Sequence, residues 1–347
     1  MNKAVKCILV NVFLIVFFFG LLEIFIFISL EYPPIHKVLL KIIKEISFRI
    51  SCTDMNIIQY DPDGARYDPE LGYTLKPGKF VFSNHEFSTT YHVNSLGVRD
   101  TEEALDSPRV VVLGDSYAMG WGVEQNETFA KIIEAKTGLP VLNASVASYG
   151  TAREMMLLKR VKREKLKYLI IQYCNNDYEE NVSFLKNGNK LVAMSREKYA
   201  ELVKRNLETR KYYLGKYVWL AAKVIGDDYR DIFKIGNNKK RKAPDNKPKR
   251  DDAQAFIDII LHSGIDLNQV QLLVFTIEKG TFQDNFIKSL KEKISLVPYP
   301  PVIKNMIPLD NSECYQHGRI QFFFDGHFTP YGHRLVAEMI MRRMASR

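Results

Sequence analysis

The sequence predicts a doubly wound α/β fold, in which helices cover both faces of a parallel sheet, preceded by one membrane-spanning helix. Three observations predict it. From Arg109 onward, short apolar β-branched runs alternate with segments of helical periodicity, which is typical of a parallel sheet. The segment from Cys7 to Leu30 is almost wholly apolar. Polar residues suited to chemistry follow the apolar runs, at the strand ends where such sheets bind ligands.

Composition and charge indicate a folded protein without a nucleic-acid site. The 347 residues are 46% hydrophobic and 12% aromatic, as in globular domains. Much of the net charge of +9 lies in residues 239–242 and 247–250, a Pro-containing stretch that we interpret as an exposed basic loop. No zinc-finger spacing or aromatic RNA-binding motif accompanies it. The four cysteines lack metal-ligand spacing, so we predict neither a metal nor a cofactor.

The N-terminal segment predicts an uncleaved anchor over residues 1–31. It exceeds the roughly 20 residues that cross a bilayer, and no small-residue cleavage site follows it. Glu23 interrupts it; its carboxyl group either snorkels or is protonated, or it contacts a partner helix. Lys3 and Lys6 favour a cytoplasmic N-terminus and an extracytoplasmic (periplasmic or cell-surface) catalytic domain. The basic residues that follow the anchor favour the opposite orientation, with the domain in the cytoplasm, so the orientation stays open.

Two segments separate the anchor from the sheet. His36 to Ile50 has amphipathic helical periodicity, and we predict a juxtamembrane helix within 32–55 that rests on the membrane or packs on the catalytic domain. Residues 56–103 are rich in turns and short extended pieces and predict a lead-in that wraps the main domain. Cys52 and Cys314 could pair in an exported domain, which the sequence does not establish.

The alternation of elements defines the main domain, residues 104–347. The predicted strands are Arg109–Leu113, Pro140–Leu142, Tyr168–Tyr173 and Gln271–Thr276. The predicted helices are Thr128–Thr137, Ala152–Lys165, Asp252–Ser263, Asp284–Lys293 and a last helix from Pro330 to the C-terminus. A charged helical region from Ser195 to about Val224 lies in an insertion, 178–250, that we expect to cap the site.

Ser116, Asp325 and His327 form a candidate relay. A serine hydroxyl needs a base within hydrogen-bond reach and a third group that orients the base. Residues 325 and 327 are two positions apart, so in an extended segment both side chains point the same way. Asp325 would then hold Nδ1 of His327 and leave Nε2 free for Ser116. The sequence therefore predicts a serine nucleophile with its base at the carboxyl edge of the sheet.

A developing oxyanion requires rigid donors. The backbone N–H of Ser116 is one candidate, and a backbone N–H of Ser148 or Gly150 is a second. The side-chain amide of Asn176 is a third. Among the other polar residues, we expect Asp115 and Asp177 to brace loops and His333 to be structural or exposed. Trp121 fits core packing as well as a sugar-stacking platform.

These motifs resemble the SGNH/GDSL hydrolase superfamily, in its membrane-anchored bacterial form. The resemblance rests on Gly114-Asp115-Ser116, on Asn143 to Gly150, on Asn176-Asp177 and on Asp325-Gly326-His327, in that order. It implies a flavodoxin-like three-layer α/β/α sandwich that hydrolyses or transfers ester-linked acyl groups. By position, Ser116 matches the nucleophile, Asn176 the oxyanion asparagine, His327 the base and Asp325 its partner.

Three positions depart from the superfamily pattern. Tyr117 replaces the usual Leu, which we expect to matter little because that side chain does no chemistry. Ser148 stands at the usual second-block glycine, where a Cβ narrows the oxyanion pocket or forbids the required dihedral angles, and Gly150 would then serve instead. One residue separates Asp325 from His327, a spacing that resembles the alginate O-acetyltransferase relatives more than the small secreted lipases and favours acylation or deacylation of envelope glycans.

The leading hypothesis is an anchored serine esterase or O-acyltransferase that acts on an acylated cell-envelope glycan or lipid through an acyl-Ser116 intermediate. The alternative is a catalytically inactive envelope-assembly or binding protein with the same fold and with envelope-protein partners. A third possibility is a phosphate binder that uses residues 114–116 as an anion nest, which leaves Asp325 and His327 unexplained. The acyl group, the acceptor and the oligomeric state stay open.

Overall fold

The computed structural model describes residues 2–32, 35, 39–237, 250–277, 281–296, 298–316 and 318–345, with the backbone alone for 228–237 and 281–284. The helices are α1 Lys3–Glu31, α2 Lys41–Asp54, α3 Ser116–Met119, α4 Phe129–Thr137, α5 Thr151–Leu158, α6 Asp177–Lys186, α7 Arg196–Arg210, α8 Lys216–Asn237, α9 Asp252–His262, α10 Thr281–Leu296, α11 Pro301–Lys304 and α12 Pro330–Ala345. The strands are β1 Ala65–Asp68, β2 Gly72–Leu75, β3 Gly78–Asn84, β4 Phe87–Val93, β5 Val110–Leu113, β6 Val141–Asn143, β7 Tyr168–Tyr173, β8 Gln271–Thr276 and β9 Ile307–Pro308.

The main sheet has five parallel strands in the order β6-β5-β7-β8-β9. In this order the chain winds outward from β5 in both directions, which is the flavodoxin-like arrangement with its ligand site at the switch point. Because β5 is flanked by β6 and β7, the loops after these three strands meet at one edge. The predicted α/β fold with a parallel sheet is confirmed.

Helices cover both faces of this sheet, which makes the predicted three-layer sandwich. Along β5, Val110 and Val112 pack into one core with α4 and α12, and Val111 and Leu113 pack into the other with α5, α9 and α10. All four side chains are fully buried. A strand buried on both faces needs a continuous apolar run instead of alternation, which is why Val110 to Leu113 was recognisable in the sequence.

The structure corrects the end of one predicted helix and adds one strand. Helix α5 ends at Leu158 and not at Lys165, because Arg163 folds back and donates to the carbonyl oxygens of Leu158 and Val161, the latter at 2.8 Å. Strand β9 was not predicted. It has two residues and ends in Pro308, and a proline is tolerated at a sheet edge, where its missing N–H costs no ladder bond.

The lead-in folds as two antiparallel hairpins, β1–β2 and β3–β4. It is tied to the main domain by Arg99, whose side chain is buried. The guanidinium group lies 3.6 Å from the ring centroid of Tyr91 and donates to the carbonyl oxygens of Gly120 and, at 2.6 Å, Val123. Arg99 therefore holds the chain that follows Ser116.

The N-terminal helix α1 packs against α2 and α8. It is the one helix in the described part of the chain that is long and apolar enough to cross a membrane. Its last turns share an apolar cluster with the other two helices: Ile26, Leu30, Ile50, Tyr217, Leu220 and Val224. Helix α2 begins at Lys41; residues 36–38 of the predicted juxtamembrane helix lie outside the described residues.

Glu23 contacts a helix of the same chain. Its carboxylate accepts hydrogen bonds from the backbone N–H groups of Tyr217 and Val218, at 3.2 and 2.9 Å. These groups are in the first turn of α8, where backbone donors lack intrahelical partners and a negative charge is favoured. Glu23 thus stabilises the start of α8.

Within the described part of the insertion, α6 packs on α5 and α9 of the main domain, whereas α7 and α8 lie against the lead-in and the N-terminal helices. Tyr199 of α7 packs on Tyr60 and Tyr67, and α8 packs on α1 and α2. The basic segments 239–242 and 247–249 lie outside the described residues. Cys52 is exposed and Cys314 is buried, and the two are not bonded to each other.

Candidate active site

Ser116 lies at a sharp turn between β5 and the short helix α3. The carboxylate of Asp115 accepts the N–H of Tyr117 at 3.0 Å and caps the helix, as expected of a loop-bracing residue. Gly114 permits the turn, because a Cβ there would lie 2.6 Å from Cβ of Ala118 and 2.7 Å from Oε1 of Gln172. The turn holds the Ser116 hydroxyl, half-buried, at the carboxyl edge of the sheet.

His327 joins Ser116 to Asp325. Its Nε2 lies 2.7 Å from Oγ of Ser116, and its Nδ1 is hydrogen-bonded to Oδ1 of Asp325. With the proton on Nδ1, donated to the carboxylate, Nε2 has its lone pair directed at the serine hydroxyl. The structure therefore brings together the nucleophile, base and orienting acid that the sequence predicts.

Trp121 contacts both members of the His–Asp pair. Its Nε1–H donates to Oδ2 of Asp325 at 2.8 Å. Its ring stacks on the imidazole of His327, with centroids 4.9 Å apart and an interplanar angle of 15°. The side chain is 4% exposed, too little for a sugar-stacking platform. Trp121 orients the imidazole and the carboxylate, a role that its sequence context did not indicate.

Glu86 holds the loop that carries Asp325. Its carboxylate accepts three backbone N–H groups, those of Phe323, Phe324 and Asp325, at 2.7, 2.6 and 2.9 Å. Hydrogen bonds to a charged acceptor are stronger than neutral ones. Glu86 lies in the turn between β3 and β4, so the lead-in positions the loop that carries Asp325 and His327. No local pattern in the sequence marks this glutamate.

Tyr117 also contacts the His327 loop, which corrects the expectation that this position matters little. Its hydroxyl donates to the carbonyl oxygen of Gly326 at 3.0 Å. Its ring centroid lies 4.5 Å from that of His327. The imidazole is thus held between Tyr117 and Trp121, which limits its rotation away from Ser116.

The candidate oxyanion donors differ in whether their N–H groups already have an acceptor. Ser148 adopts a left-handed backbone conformation, with φ of 58°, so its Cβ does not forbid the glycine-like dihedral angle. Its hydroxyl accepts Nε2–H of Gln59 at 3.0 Å. Within the described chain, neither the N–H of Ser116 nor that of Ser148 has an acceptor, so both are available. The N–H of Val146 donates to the carbonyl oxygen of Gly114 at 3.2 Å and ties the two loops together.

The backbone N–H of Gly150 already has a hydrogen-bond acceptor, whereas the side-chain amide of Asn176 has none among the described residues. The N–H of Gly150 donates to Oε1 of Glu180 at 3.1 Å, so the suggestion that Gly150 replaces Ser148 needs correction: its donor is already used. Glu180 is itself held by Arg153 at 2.5 Å. Asn176 is exposed just before α6, and its side chain has no hydrogen-bond partner among the residues described. Its amide remains a candidate third donor.

Buried carboxyl groups lie behind these loops. Asp177 accepts the hydroxyl of Thr151 at 2.8 Å, while neither carboxyl oxygen of the fully buried Glu154 has a hydrogen-bond partner among the described residues. Burial, reinforced by their mutual repulsion, raises the pKa of Glu154, and burial together with the Asp115 charge raises the pKa of Asp177. Asp177 thus braces the start of α5 through Thr151, as expected of a loop-bracing residue.

His333 is a structural residue. It is fully buried, and its Nδ1 accepts the N–H of Phe129 at 3.2 Å. Burial lowers the pKa of His333 to about 3, which keeps the imidazole neutral and fit to accept this bond. Among the described residues, no group of three His, Cys, Asp or Glu side chains is placed to hold a metal ion.

Solved structures similar to this chain include three with ester or acyl chemistry in their descriptions. One is described as a member of the G-D-S-L lipolytic family from Desulfitobacterium hafniense, at 13% identity over 67% of this chain and 97% of that one, with a TM-score of 0.34. A carbohydrate esterase family 2 enzyme from Myceliophthora fergusii is 11% identical over 69% of this chain and 67% of its own, with a TM-score of 0.40. A salicylyl-acyltransferase from a tetracycline biosynthetic pathway is 14% identical over 79% of this chain and 60% of its own, with a TM-score of 0.32.

The first of these carries the G-D-S-L name of the superfamily that the motifs resemble. No family model matches the sequence, and neither does any of the curated proteins compared with it. At these identities the likeness concerns the fold alone, so the chemistry of the site rests on the residues of this chain.

Proposed function

We propose that the protein is a membrane-anchored serine esterase or O-acyltransferase, with Ser116 as nucleophile, His327 as base and Asp325 as the orienting acid. The observation that carries the proposal is the unbroken chain of contacts from Oγ of Ser116, through both nitrogens of His327, to Asp325, with 2.7 Å between Ser116 Oγ and His327 Nε2. The three residues come from two loops, and Ser116 and His327 are 211 positions apart in sequence. Such an arrangement serves nucleophilic catalysis and has no evident structural purpose.

Acylation follows from the geometry. Oγ of Ser116 attacks the ester carbonyl carbon while its proton passes to Nε2 of His327, and Asp325 stabilises the resulting imidazolium. The backbone N–H groups of Ser116 and Ser148 and the amide of Asn176 donate to the oxyanion. When the tetrahedral intermediate collapses, the ester C–O bond breaks and the alcohol leaves with the proton from Nε2.

Deacylation reverses these roles with a new nucleophile. Nε2 of His327 removes a proton from water or from a sugar hydroxyl, whose oxygen attacks the acyl-Ser116 carbonyl. Collapse returns the proton to Oγ of Ser116 and releases a carboxylic acid or a new ester. No metal or cofactor takes part in either half-reaction as we propose it.

For the substrate we propose an acyl ester of a cell-envelope glycan or lipid, with the catalytic domain on the extracytoplasmic side of the membrane. The spacing of Asp325 and His327, which resembles that of alginate O-acetyltransferase relatives, and the long apolar α1 support this. The domain division into anchor 1–31, juxtamembrane 32–55, lead-in 56–103 and catalytic 104–347 remains part of the proposal.

The test uses the full chain in detergent, because Glu23 to Leu30 pack on the rest of the protein and a truncation at residue 31 would remove them. We expect the chain to hydrolyse a short-chain aryl ester and Ser116→Ala to lower kcat at least a thousandfold. Ser183→Ala, an exposed serine on α6, is the matched control and should retain full activity. Equal rates for the wild type and Ser116→Ala would refute the nucleophile.

The same preparation separates the enzyme from a catalytically inactive scaffold. A serine-directed fluorophosphonate should label wild-type protein and leave Ser116→Ala unlabelled, whereas a scaffold labels in neither form. Two residues favour the scaffold on sequence grounds, Ser148 and Glu23. Ser148 has a glycine-like φ of 58° that keeps its backbone donor usable. Glu23 binds α8 within the chain, so it needs no partner protein.

A further inference from the structure

A set of apolar and aromatic side chains beside α1 is exposed. The set comprises the turn between α7 and α8 and the outer side of α8, and we call it the turn face. Leu214 is 82% exposed and Trp219 is 53% exposed. The other members are Tyr212 and Tyr213, which are also exposed. Contiguous exposed apolar residues mark an interaction surface.

The turn face lies beside the middle of α1 and not at its end. Gly215 has φ of 84°, and a Cβ on it would lie 2.9 Å from Cζ of Phe19, so the turn touches α1 at Phe19. Four residues further along, Glu23 accepts the N–H of Val218 at 2.9 Å. At 1.5 Å per residue, Phe19 lies about 18 Å before the end of α1 at Glu31.

The exposure of α1 changes at this level. From Lys3 to Leu22 the helix is exposed on all sides apart from half-buried Gly20, and from Glu23 onward one side of it is buried. The stretch from Lys3 to Leu22 has about 20 residues and a length of about 30 Å, the thickness of the hydrocarbon core. If the hydrocarbon core covers this stretch, its surface lies at the level of the turn face.

The composition of the turn face suits a lipid headgroup layer. Tyrosine and tryptophan are enriched at the boundary between membrane and water. Basic side chains accompany them: Nζ of Lys223 lies 5.5 Å from the ring centroid of Trp219, and Lys211 is exposed at the start of the turn. Apolar side chains flanked by lysines bind the interface of bilayers that contain anionic lipids.

The catalytic loop is linked to the C-terminal end of α1. Glu31, at the end of α1, is paired with Nδ1 of His85 at 2.7 Å. The next residue, Glu86, holds the backbone of Phe323 to Asp325. The anchor and the His327 loop are therefore joined through two consecutive residues of the β3–β4 turn.

We propose that the turn face inserts into the lipid headgroup layer beside α1, as a second membrane contact, and that it orients the catalytic site toward esters carried by membrane-resident molecules. The proposal rests on α1 as an anchor and, for its substrate part, on the ester chemistry proposed above. A single spanning helix leaves the attached domain free to rotate and tilt. A second contact restricts that motion.

Tryptophan fluorescence tests the contact directly, because the chain has two tryptophans and Trp121 is 4% exposed. The full chain is reconstituted in vesicles of phosphatidylcholine and phosphatidylglycerol, with or without bromine on the acyl chains near the headgroup. We expect brominated lipid to quench at least half of the Trp219 emission, taken as wild type minus Trp219→Phe. The emission that remains in Trp219→Phe should not change. An unquenched Trp219 in vesicle-inserted protein overturns the proposal.

Charge substitution tests the consequence for substrates. Leu214→Glu is compared with Leu296→Glu, since Leu296 is 80% exposed at the end of α10 and makes a matched control. We expect Leu214→Glu to hydrolyse a fatty-acyl ester embedded in vesicles at least tenfold more slowly than wild type, while Leu296→Glu does not. Both variants should hydrolyse a water-soluble aryl ester at the wild-type rate. Equal vesicle rates for the two variants overturn the substrate part.

The outcomes distinguish the possible failures. A wild-type chain that quenches as expected but hydrolyses neither ester contradicts the ester chemistry and leaves the membrane contact standing. A chain that does not float with vesicles contradicts both the anchor and the contact. A dimer in detergent with unquenched Trp219 in vesicles would assign the turn face to a second copy and overturn the proposal.

Discussion

The indole Nε1 of Trp121 donates a hydrogen bond of 2.8 Å to Oδ2 of Asp325, whose other oxygen is bonded to His327. The carboxylate is thereby held from both sides. The same indole stacks on the imidazole. One side chain thus fixes both the acid and the base, although it lies 204 positions from Asp325 in the sequence.

Replacing Trp121 with Phe removes the donor and keeps most of the stack. We expect kcat for an aryl ester to fall about tenfold, since a hydrogen bond to a charged group contributes about 1.5–3 kcal/mol and not all of it is realised in the transition state. KM and the melting temperature should change little. Trp219→Phe, at the distant exposed tryptophan, is the control and should leave kcat unchanged. An unaltered kcat in Trp121→Phe would show that the bond does not orient the acid.

Glu86→Gln tests whether the lead-in positions the catalytic loop. The amide keeps one acceptor oxygen and loses the charge, so three N–H groups of residues 323–325 compete for weaker bonds. We expect kcat to fall about ten- to a hundredfold with little change in KM, because the His327 loop is less often in position. Glu313→Gln, which removes an exposed ion pair with Arg342, should have no effect. A fall in the melting temperature without a fall in kcat would assign Glu86 a purely structural role.

Position 148 should tolerate glycine and reject β-branched residues. Ser148 has φ of 58°, a conformation that glycine adopts freely and valine strongly resists. We expect Ser148→Gly to retain kcat within about threefold, because the backbone donor is kept, and Ser148→Val to lose most activity. Steady-state kinetics of the two variants provide the measurement. Loss of activity in Ser148→Gly would instead give the hydroxyl, which accepts from Gln59, a part in catalysis.

Stability should depend on pH through His85. Burial alone lowers the pKa of this imidazole, but its ion pairs with Glu31, at 2.7 Å, and with Asp54, at 3.6 Å, outweigh burial and raise the pKa from 6.5 to about 9. The resulting stabilisation is complete below pH 6.5 and is lost as the pH rises through 9. We expect His85→Gln to be less stable than wild type by about 2–3 kcal/mol at pH 6 and equal to it at pH 10. Denaturant unfolding across this range measures it, and a difference that does not vary with pH would contradict the ion pair.

Glu154, unlike His85, should destabilise the folded chain at neutral pH. Burial and the neighbouring Asp177 raise the pKa of Glu154 above its ordinary 4.5, so the folded chain holds a proton that the unfolded chain releases. Stability then falls as the pH rises above about 4.5. We expect Glu154→Gln, which has no proton to release, to be about 1–3 kcal/mol more stable than wild type at pH 8 and to gain less at pH 5. Lower stability of the variant at both pH values would show that the carboxyl group is satisfied by partners the amide cannot replace.

Local patterns in the sequence were sufficient for four of the five strands of the main sheet and for the relay. Val110 to Leu113 was recognisable as a doubly buried strand, and the two-residue spacing of Asp325 and His327 predicts the Nδ1 contact that the structure contains. These features depend on residues close together in the chain. Ser116 was located because its turn needs Gly114 and Asp115, and the three residues form a recognisable motif directly after the apolar run of β5.

Positioning residues were not recognisable, because their contacts cross the fold. Glu86 reaches a loop more than 230 positions away, and nothing around it in the sequence distinguishes it from a surface glutamate. Tyr117 and Trp121 lie next to the nucleophile, but their contacts with residues 325–327 depend on how the last loop returns to the sheet. Glu23 was conspicuous in an apolar helix, yet its partner, the first turn of α8, became visible only in three dimensions.

The most direct test of the central claim is to trap the acyl group on the nucleophile. The full chain in detergent is mixed with p-nitrophenyl acetate, quenched in acid within the first turnover, and digested for mass spectrometry. We expect the peptide that contains Ser116 to carry one acetyl group, and the acetyl group to be absent in His327→Gln quenched at the same time. Hydrolysis of the ester with no acetyl group on Ser116 at any time would contradict the acyl-serine mechanism.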